Sequence, residues 1–328
     1  MDRLTLNTTL SFANLVQTDL LEVENILHSY IKADFPGLGT ALDMIFSAGG
    51  KRIRPIMILL LGRMIASPRN KLIILATAIE MLHTATLVHD DLIDNSILRR
   101  GNPTLNTQWT SSATVLTGDL LFACSARLAA DMENIEAIKL FSHTLIEIVN
   151  GELNQMFKGR CQVSREDYYQ RIYAKTASMF QTGAKSTALI TSPDPEKATA
   201  LAKFGHDIGI AFQIIDDILD FTGEQATVGK PVASDLRQGL ITLPAIIYIE
   251  EHPQEKEVQL LLQGKCLEGE KNINHLVESI RGSNAIKLSH QHARDYVASG
   301  IKALELFPPS PERLALEELA CFIVNRDI

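Results

Sequence analysis

The sequence predicts an all-helical protein, and three observations carry that expectation. Apolar residues recur at helical spacing through almost the whole chain, and glycine and proline fall mainly between those stretches. No segment shows the strict alternation, or the Asn-Gly and Asp-Gly turns, that mark paired strands. The apolar fraction of 46 % is ample for a large core, and 21 % charged residues is ordinary for a globular chain.

Helical spacing first runs through residues 10–32. A second stretch opens at Ser67-Pro68, expected as an N-cap followed by proline at the first helical position, and continues through His83 toward Asp94. Further stretches cover 113–131, 135–158, 165–190, 195–221, 232–250, 284–305 and 311–324. Pro308-Pro309-Ser310-Pro311 punctuates the chain before the last of these, and residues 251–283 are the most polar part. No proline- or serine-rich linker divides the sequence, so residues 1–328 are expected to form a single domain.

Net charge is −8, from 31 basic and 39 acidic residues, which argues against a nucleic-acid surface. The amino terminus lacks an apolar signal core, and runs such as Ile56 to Gly62 are too short to span a bilayer. Cys124, Cys161, Cys266 and Cys321 form no C-x-x-C pair; they are expected to be reduced, buried thiols, which suits a cytoplasmic setting.

Two acidic clusters break the apolar pattern: Asp90-Asp91-x-x-Asp94 and Asp216-Asp217-x-x-Asp220. Residues four apart share a helix face, so like charges there cost roughly 0.2–0.5 kcal/mol on a solvated helix and more beside apolar neighbours. One such cluster reads equally well as a solvated helix end; two matching clusters point to a cation. Mg²⁺ suits them, because it takes a few carboxylates and completes its shell with water and substrate phosphates. No His/Cys set has the spacing of a zinc site.

Basic residues stand beside both clusters. Lys51, Arg52 and Arg54 follow Gly49-Gly50; Arg99-Arg100 follows the first cluster; Lys175-Thr176 lies mid-chain; Gly229-Lys230-Pro231 follows the second cluster. Singly each is an ordinary surface cation, but together with Mg²⁺ they suit two diphosphates, arginine as a planar fork and lysine as a point charge. Neither G-x-x-x-x-G-K-[ST] nor G-x-G-x-x-G occurs, which disfavours a nucleotide site. His83, seven residues before Asp90 on the same face, reads alone as a core histidine.

These blocks resemble those of the trans-isoprenyl diphosphate synthases, the polyprenyl synthetase family, over roughly residues 40–250. They are Gly49 to Pro55, Asp90 to Arg100, Lys175-Thr176, Phe212 to Asp220, and Gly229-Lys230-Pro231 with Ser234 to Gly239 and Thr242-Leu243-Pro244. The resemblance implies an isoprenoid-synthase fold, a bundle of antiparallel helices around a central cavity, and usually a homodimer. It implies that Asp90, Asp94 and Asp216, with Asp91, Asp217 and Asp220 nearby, bind Mg²⁺ bridging to an allylic diphosphate held by Arg99, Lys175 and Lys230. Lys51, Arg54, His83 and Arg100 would hold isopentenyl diphosphate. Ionisation of the allylic ester, attack by the isopentenyl double bond and proton loss would follow, with Thr176 and Gln213 turning oxygen dipoles toward the cation.

Product length is read from the helix before Asp90. At about 1.5 Å per residue, positions 85 and 86 lie roughly 6–8 Å from the metal end, where bulky aromatics stop chain growth in short-chain members of the family. Here they are Ala85 and Thr86; the larger Met81 and Leu82 lie further along, and Phe122, Cys124 and Leu128 stand on a later helix. The expected product is therefore ~C20 or longer. Three other readings stay open at this level. A class I terpene cyclase shares the first cluster, a helical phosphohydrolase would use His89-Asp90, and a silent partner subunit would keep the fold without turnover.

Overall fold

The computed structural model describes residues 10–29, 37–47, 50–99, 101–158, 160–191, 194–223 and 232–326. Gly49, Arg100, Gly229, Lys230 and Pro231 lie outside the described residues. The fold is all-helical, as expected. A 3-10 turn, Ser11–Val16, leads into α1 (Gln17–Ser29), followed by α2 (Leu38–Ser47), α3 (Ile53–Met64) and α4 (Arg69–Ile93). A two-residue hairpin, β1 (Leu98–Arg99) and β2 (Asn102–Pro103), precedes α5 (Leu105–Gln108), α6 (Ser111–Asp131) and α7 (Ile135–Phe157). Then come α8 (Arg165–Ile172), a π-helical turn (Tyr173–Ala177), α9 (Ser178–Thr191) and α10 (Pro195–Thr222). The chain closes with α11 (Ser234–Arg237), α12 (Leu243–Glu251), α13 (Lys256–Leu262), α14 (Glu270–Gly282), α15 (Ala285–Ala303) and α16 (Pro311–Val324).

The chain clusters into two compact units. One comprises Met1–Ser142, Thr182–Ala202 and Leu304–Ala320; the other comprises His143–Gln181, Lys203–Ala303 and Cys321–Ile328.

In the first unit α4 packs against α1, α3 and α6. Leu75, Ala76, Ile79, Met81, Leu82 and Ala85 are all fully buried, more than one face can supply, so α4 is a core helix. Arg52, left-handed at φ 48°, ties three helices together: Nε donates to Glu24 of α1 at 2.5 Å, Nη1 to Glu80 of α4 at 2.8 Å, and Nη2 to the Phe46 carbonyl of α2 at 3.0 Å. Burial opposes its charge, but Glu80 and Glu24 outweigh that and hold the guanidinium above its ordinary pKa. Of the three cations at 51, 52 and 54, this one is a structural cross-link.

The main departures from the sequence expectations lie between residues 160 and 266. Residues 165–190 form α8, a π turn and α9 rather than one helix, and 232–250 is split into α11 and α12 by Gly239 at φ +82°. Cys161 and Cys266 form a disulfide across 105 residues, correcting the reading of four reduced thiols; Cys124 is half-buried and Cys321 exposed. Nothing local in the sequence announces a pairing across that separation; the Cys161 N–H also donates to the Gly239 carbonyl at 2.7 Å. The bidentate pair of Arg165 with Glu250, at 2.7 and 2.6 Å, joins α8 to α12.

Two details of the helix ends and faces also differ. Ser67 does not cap α4: no side chain caps that helix, whose N-cap is Pro68, and the Ser67 hydroxyl pairs with that of Thr191. Both α4 and α6 are long and apolar enough to cross a bilayer, since scattered threonines and single charges leave their average high. The apolar window of α4 is 78 % buried inside the protein and that of α6 only 39 %.

Candidate active site

The first acidic cluster closes the last turn of α4. The Asp94 N–H donates to the Asp90 carbonyl at 2.8 Å, and Asn95 turns left-handed at φ 50° to end the helix. The three carboxylates are not equivalent. Asp90 is half-buried and Asp94 exposed, whereas Asp91 is buried and accepts from Arg99 Nε at 2.8 and 2.9 Å and Nη2 at 2.8 Å. The β1–β2 hairpin delivers Arg99 to that position. Asp90 and Asp94 thus sit at the negative end of a 25-residue helix, a field that favours a cation.

His89 turns to α6 instead: its Nε2 lies 3.0 Å from the Val115 carbonyl and 3.6 Å from Asp119. Gly118 makes room for the ring, since a Cβ there would fall 2.1 Å from Nε2. A docked imidazole of this kind removes the main support for the phosphohydrolase reading. Along the same helix Met81, Leu82, Ala85 and Thr86 are buried, and the Thr86 hydroxyl donates to the His83 carbonyl at 2.8 Å. Lys51 is exposed ahead of α3, Arg54 is buried in its first turn, and His83 is half-buried midway along α4.

The second cluster is built on α10. Gly209 lets that helix approach the π turn so closely that a Cβ would meet the Ala177 Cα at 2.5 Å. Gln213 and Asp217 follow at four-residue intervals on the same face. The result is a hydrogen-bonded chain: Thr176 Oγ1 donates to Gln213 Oε1 at 2.7 Å, Gln213 Nε2 to Asp217 Oδ1 at 2.9 Å, and the Tyr168 hydroxyl to Asp217 Oδ2 at 2.7 Å. Burial, then Asp235, push the Asp217 carboxyl up to about 8, against the downward pull of Gln213, Tyr168 and Arg171. Burial and the facing Asp217 also push the Tyr168 phenol well above its usual value.

The neighbouring aspartates have other partners. Asp220 accepts from Ser234 N at 3.0 Å, Ser234 Oγ at 2.8 Å and Asp235 N at 3.1 Å, which anchors the start of α11. Asp216 pairs with Arg326, whose guanidinium lies 4.0 Å over the Phe212 ring and donates to the Phe212 carbonyl at 2.9 Å. Lys175, in the π turn, donates to Glu152 at 3.0 Å. Sequence reasoning missed Tyr168, Glu152 and Arg326. Tyr168 stands seven residues before Lys175, two helical turns away, which was the available signal; Arg326 had none.

Among the described residues no three His, Cys, Asp or Glu side chains converge as a cage. The donor set is hard carboxylate oxygen, presented singly or in pairs at a helix end. That fits Mg²⁺, which binds through one or two carboxylates and takes its remaining ligands from water and substrate phosphate.

An all-helical fold with two aspartate clusters on separate helices, and a lysine-threonine pair in a π turn facing a glutamine, defines an enzyme of the isoprenoid-synthase class. The chain belongs to the polyprenyl synthetase family, whose pattern it matches over residues 36–280. It is 35 % identical over 320 residues to the chloroplastic solanesyl diphosphate synthase 2 of Arabidopsis thaliana, covering 95 % of this chain and 75 % of that one. Heptaprenyl diphosphate synthase component 2 of Bacillus subtilis is 33 % identical, covering 94 % and 88 %. Among solved structures, a polyprenyl synthase from Caulobacter crescentus in complex with calcium and isoprenyl diphosphate aligns with TM-score 0.89 and 32 % identity, over 96 % of this chain and 97 % of that one.

Proposed function

We propose that the protein is a trans-prenyl transferase that condenses isopentenyl diphosphate with an allylic diphosphate, releasing diphosphate and an all-trans product of ~C20 or longer. The observation that carries this reading is the hydrogen-bonded chain from Thr176 in the π turn to Gln213 and Asp217 on the helix of the second aspartate cluster, in a chain of this family. The long-chain products named for the relatives, and the calcium and isoprenyl diphosphate of the Caulobacter enzyme, support it.

Residues 1–328 act in this reading as a single catalytic domain. Asp90, Asp94 and Asp216 hold Mg²⁺, with Asp91, Asp217 and Asp220 fixing the helices that carry them. When bound, the metal neutralises charge gathering on the departing diphosphate. Arg99, Lys175 and Lys230 bind the allylic diphosphate; Lys51, Arg54, His83 and Arg100 bind isopentenyl diphosphate. The Thr176 hydroxyl and the Gln213 carbonyl place oxygen dipoles against the allylic cation, and no side chain forms a covalent bond. Ala85 and Thr86 leave room for the growing chain, and Met81 and Leu82 set its limit.

We also assign a homodimer. The α7 stripe of Ile146, Val149, Leu153, Met156 and Phe157 is exposed, Phe157 at 83 %, and a second copy of the chain would cover it. A mass from light scattering that equals one chain would refute the dimer. A cytoplasmic location is part of the proposal; a Cys161–Cys266 bridge found fully oxidised in intact cells would point instead to an oxidising compartment.

The direct test incubates the purified protein with Mg²⁺, isopentenyl diphosphate and a panel of allylic primers. Diphosphate release with products longer by C5 units is expected. Cyclic hydrocarbon would favour the terpene cyclase, and no release with any primer would favour the silent subunit.

A further inference from the structure

Tyr168 is buried with 0 % exposure and its partner Asp217 with 3 %, and Tyr168 has no part in the prenyl-transfer reading. The phenol touches no position where a substrate has been placed, yet its hydroxyl is spent on a carboxylate that itself faces inward. We infer that Tyr168 is a positioning residue, which through Asp217 fixes the Gln213 side-chain amide with its carbonyl oxygen toward Thr176 and the reacting allylic carbon. The inference rests on the prenyl-transfer reading and deepens it.

An amide side chain has two faces related by a half-turn, one presenting oxygen and the other N–H. Only the oxygen stabilises a neighbouring cation; the N–H face would repel it. Asp217 accepts from Gln213 Nε2 at 2.9 Å on one oxygen and from Tyr168 at 2.7 Å on the other. The Tyr168 hydroxyl engages Oδ2 in either charge state, donating to it when Asp217 is ionised and accepting from it when the acid is neutral, so Oδ1 stays an acceptor; with the amide turned over, its oxygen would face Oδ1, two acceptors opposed in a buried site, which is costly. The same turn would break the 2.7 Å bond in which Thr176 donates to Gln213 Oε1. Tyr168 keeps the carboxylate from rotating, so the orientation of the amide is set from behind, by groups remote from substrate.

The ring is held as firmly as its hydroxyl. Tyr169 packs edge-on at 5.2 Å, and the Arg171 guanidinium lies 5.6 Å from the ring centre on the other contact. Tyr168→Phe therefore removes one oxygen and leaves the packing.

The test uses the full-length enzyme and two unreactive probes: an allylic diphosphate analogue with ammonium nitrogen in place of the cationic carbon, and a neutral thio-diphosphate isostere. Tyr168→Phe should lower kcat about tenfold, the scale of a small misplacement of a catalytic dipole, with KM and Mg²⁺ dependence unchanged. It should weaken the ammonium analogue by a similar factor and leave the neutral isostere unaffected. A merely structural role would weaken both analogues alike and so overturn the inference, as would no change in either. If Tyr168→Phe does not fold, the paired Tyr168→Phe, Asp217→Leu variant serves: it leaves no unpaired polar group behind Gln213 and removes the acceptor that orients the amide, so the same selective loss is expected; retained selectivity overturns the inference. Wild-type turnover with C5-extended product is measured alongside. Its absence would sink the functional reading itself, whereas normal turnover without selective loss sinks only the role of Tyr168.

Discussion

Gly209→Ala tests whether the close approach of α10 to the π turn matters for catalysis. The new Cβ would lie 2.5 Å from the Ala177 Cα, 2.8 Å from its Cβ and 3.2 Å from the Phe180 Cβ. Two of these neighbours belong to Ala177, one of them backbone, and neither can swing aside. Since ordinary contact begins near 3.4 Å, α10 must withdraw by about 1 Å. Alanine would otherwise favour the helix by about 0.8–1.0 kcal/mol, while overpacking costs about 1–3 kcal/mol, so the net loss of stability is about 0–2 kcal/mol. Function should suffer more than stability. A 1 Å withdrawal stretches the 2.7 Å Thr176–Gln213 bond to about 3.7 Å, beyond hydrogen-bond range, and a misplacement of that size costs about 10²-fold in kcat. Diphosphate release and urea unfolding, measured on the same preparation, read both effects. Gly282→Ala is the control: nothing lies within 4 Å of its Cβ, and it should be neutral or slightly stabilising. Wild-type kcat in Gly209→Ala would refute the claim that this approach positions Gln213.

Four further outcomes are expected. Arg326→Ala takes from Asp216 the cation that the chain itself supplies, so the metal-free protein should melt lower and reach half-maximal Mg²⁺ stabilisation at lower Mg²⁺, read by thermal shift. Breaking the Cys161–Cys266 bridge with dithiothreitol, or with paired serines, should cost up to about 4.7 kcal/mol for a loop of roughly 100 residues, read by urea midpoints. Ala85→Phe should shorten the product, seen by chromatography, with turnover of the first addition preserved. Asp217, raised to about 8 when folded, holds a proton that the unfolded chain releases near its ordinary 3.9; the metal-free enzyme should therefore lose stability as pH rises from about 4 to about 8 and level off above, and Asp217→Asn should flatten that slope.

The helical skeleton was legible because burial imposes periodicity: α10 and α16 begin where the periodic stretches do, at residues 195 and 311. What the letters could not show is how identical residues differ. Three aspartates of the second cluster read alike in sequence, yet Asp216 meets a guanidinium from the far end of the chain, Asp217 is sealed beneath Tyr168 and Gln213, and Asp220 holds the backbone of Ser234 and Asp235. The same limit applies to Arg52 and Arg54, two residues apart, of which Arg52 bridges three helices from a left-handed backbone that no Gly or Asn announces. The π turn at Tyr173–Ala177 is invisible for a related reason. All five of its residues tolerate an α-helix, and the residue that packs against the turn, Gly209, stands some thirty positions later on α10. Local pattern specifies which face is buried. It does not specify which buried polar group each carboxylate will find, and it is that choice which separates an aspartate offered to a cation from one that aims a neighbouring amide.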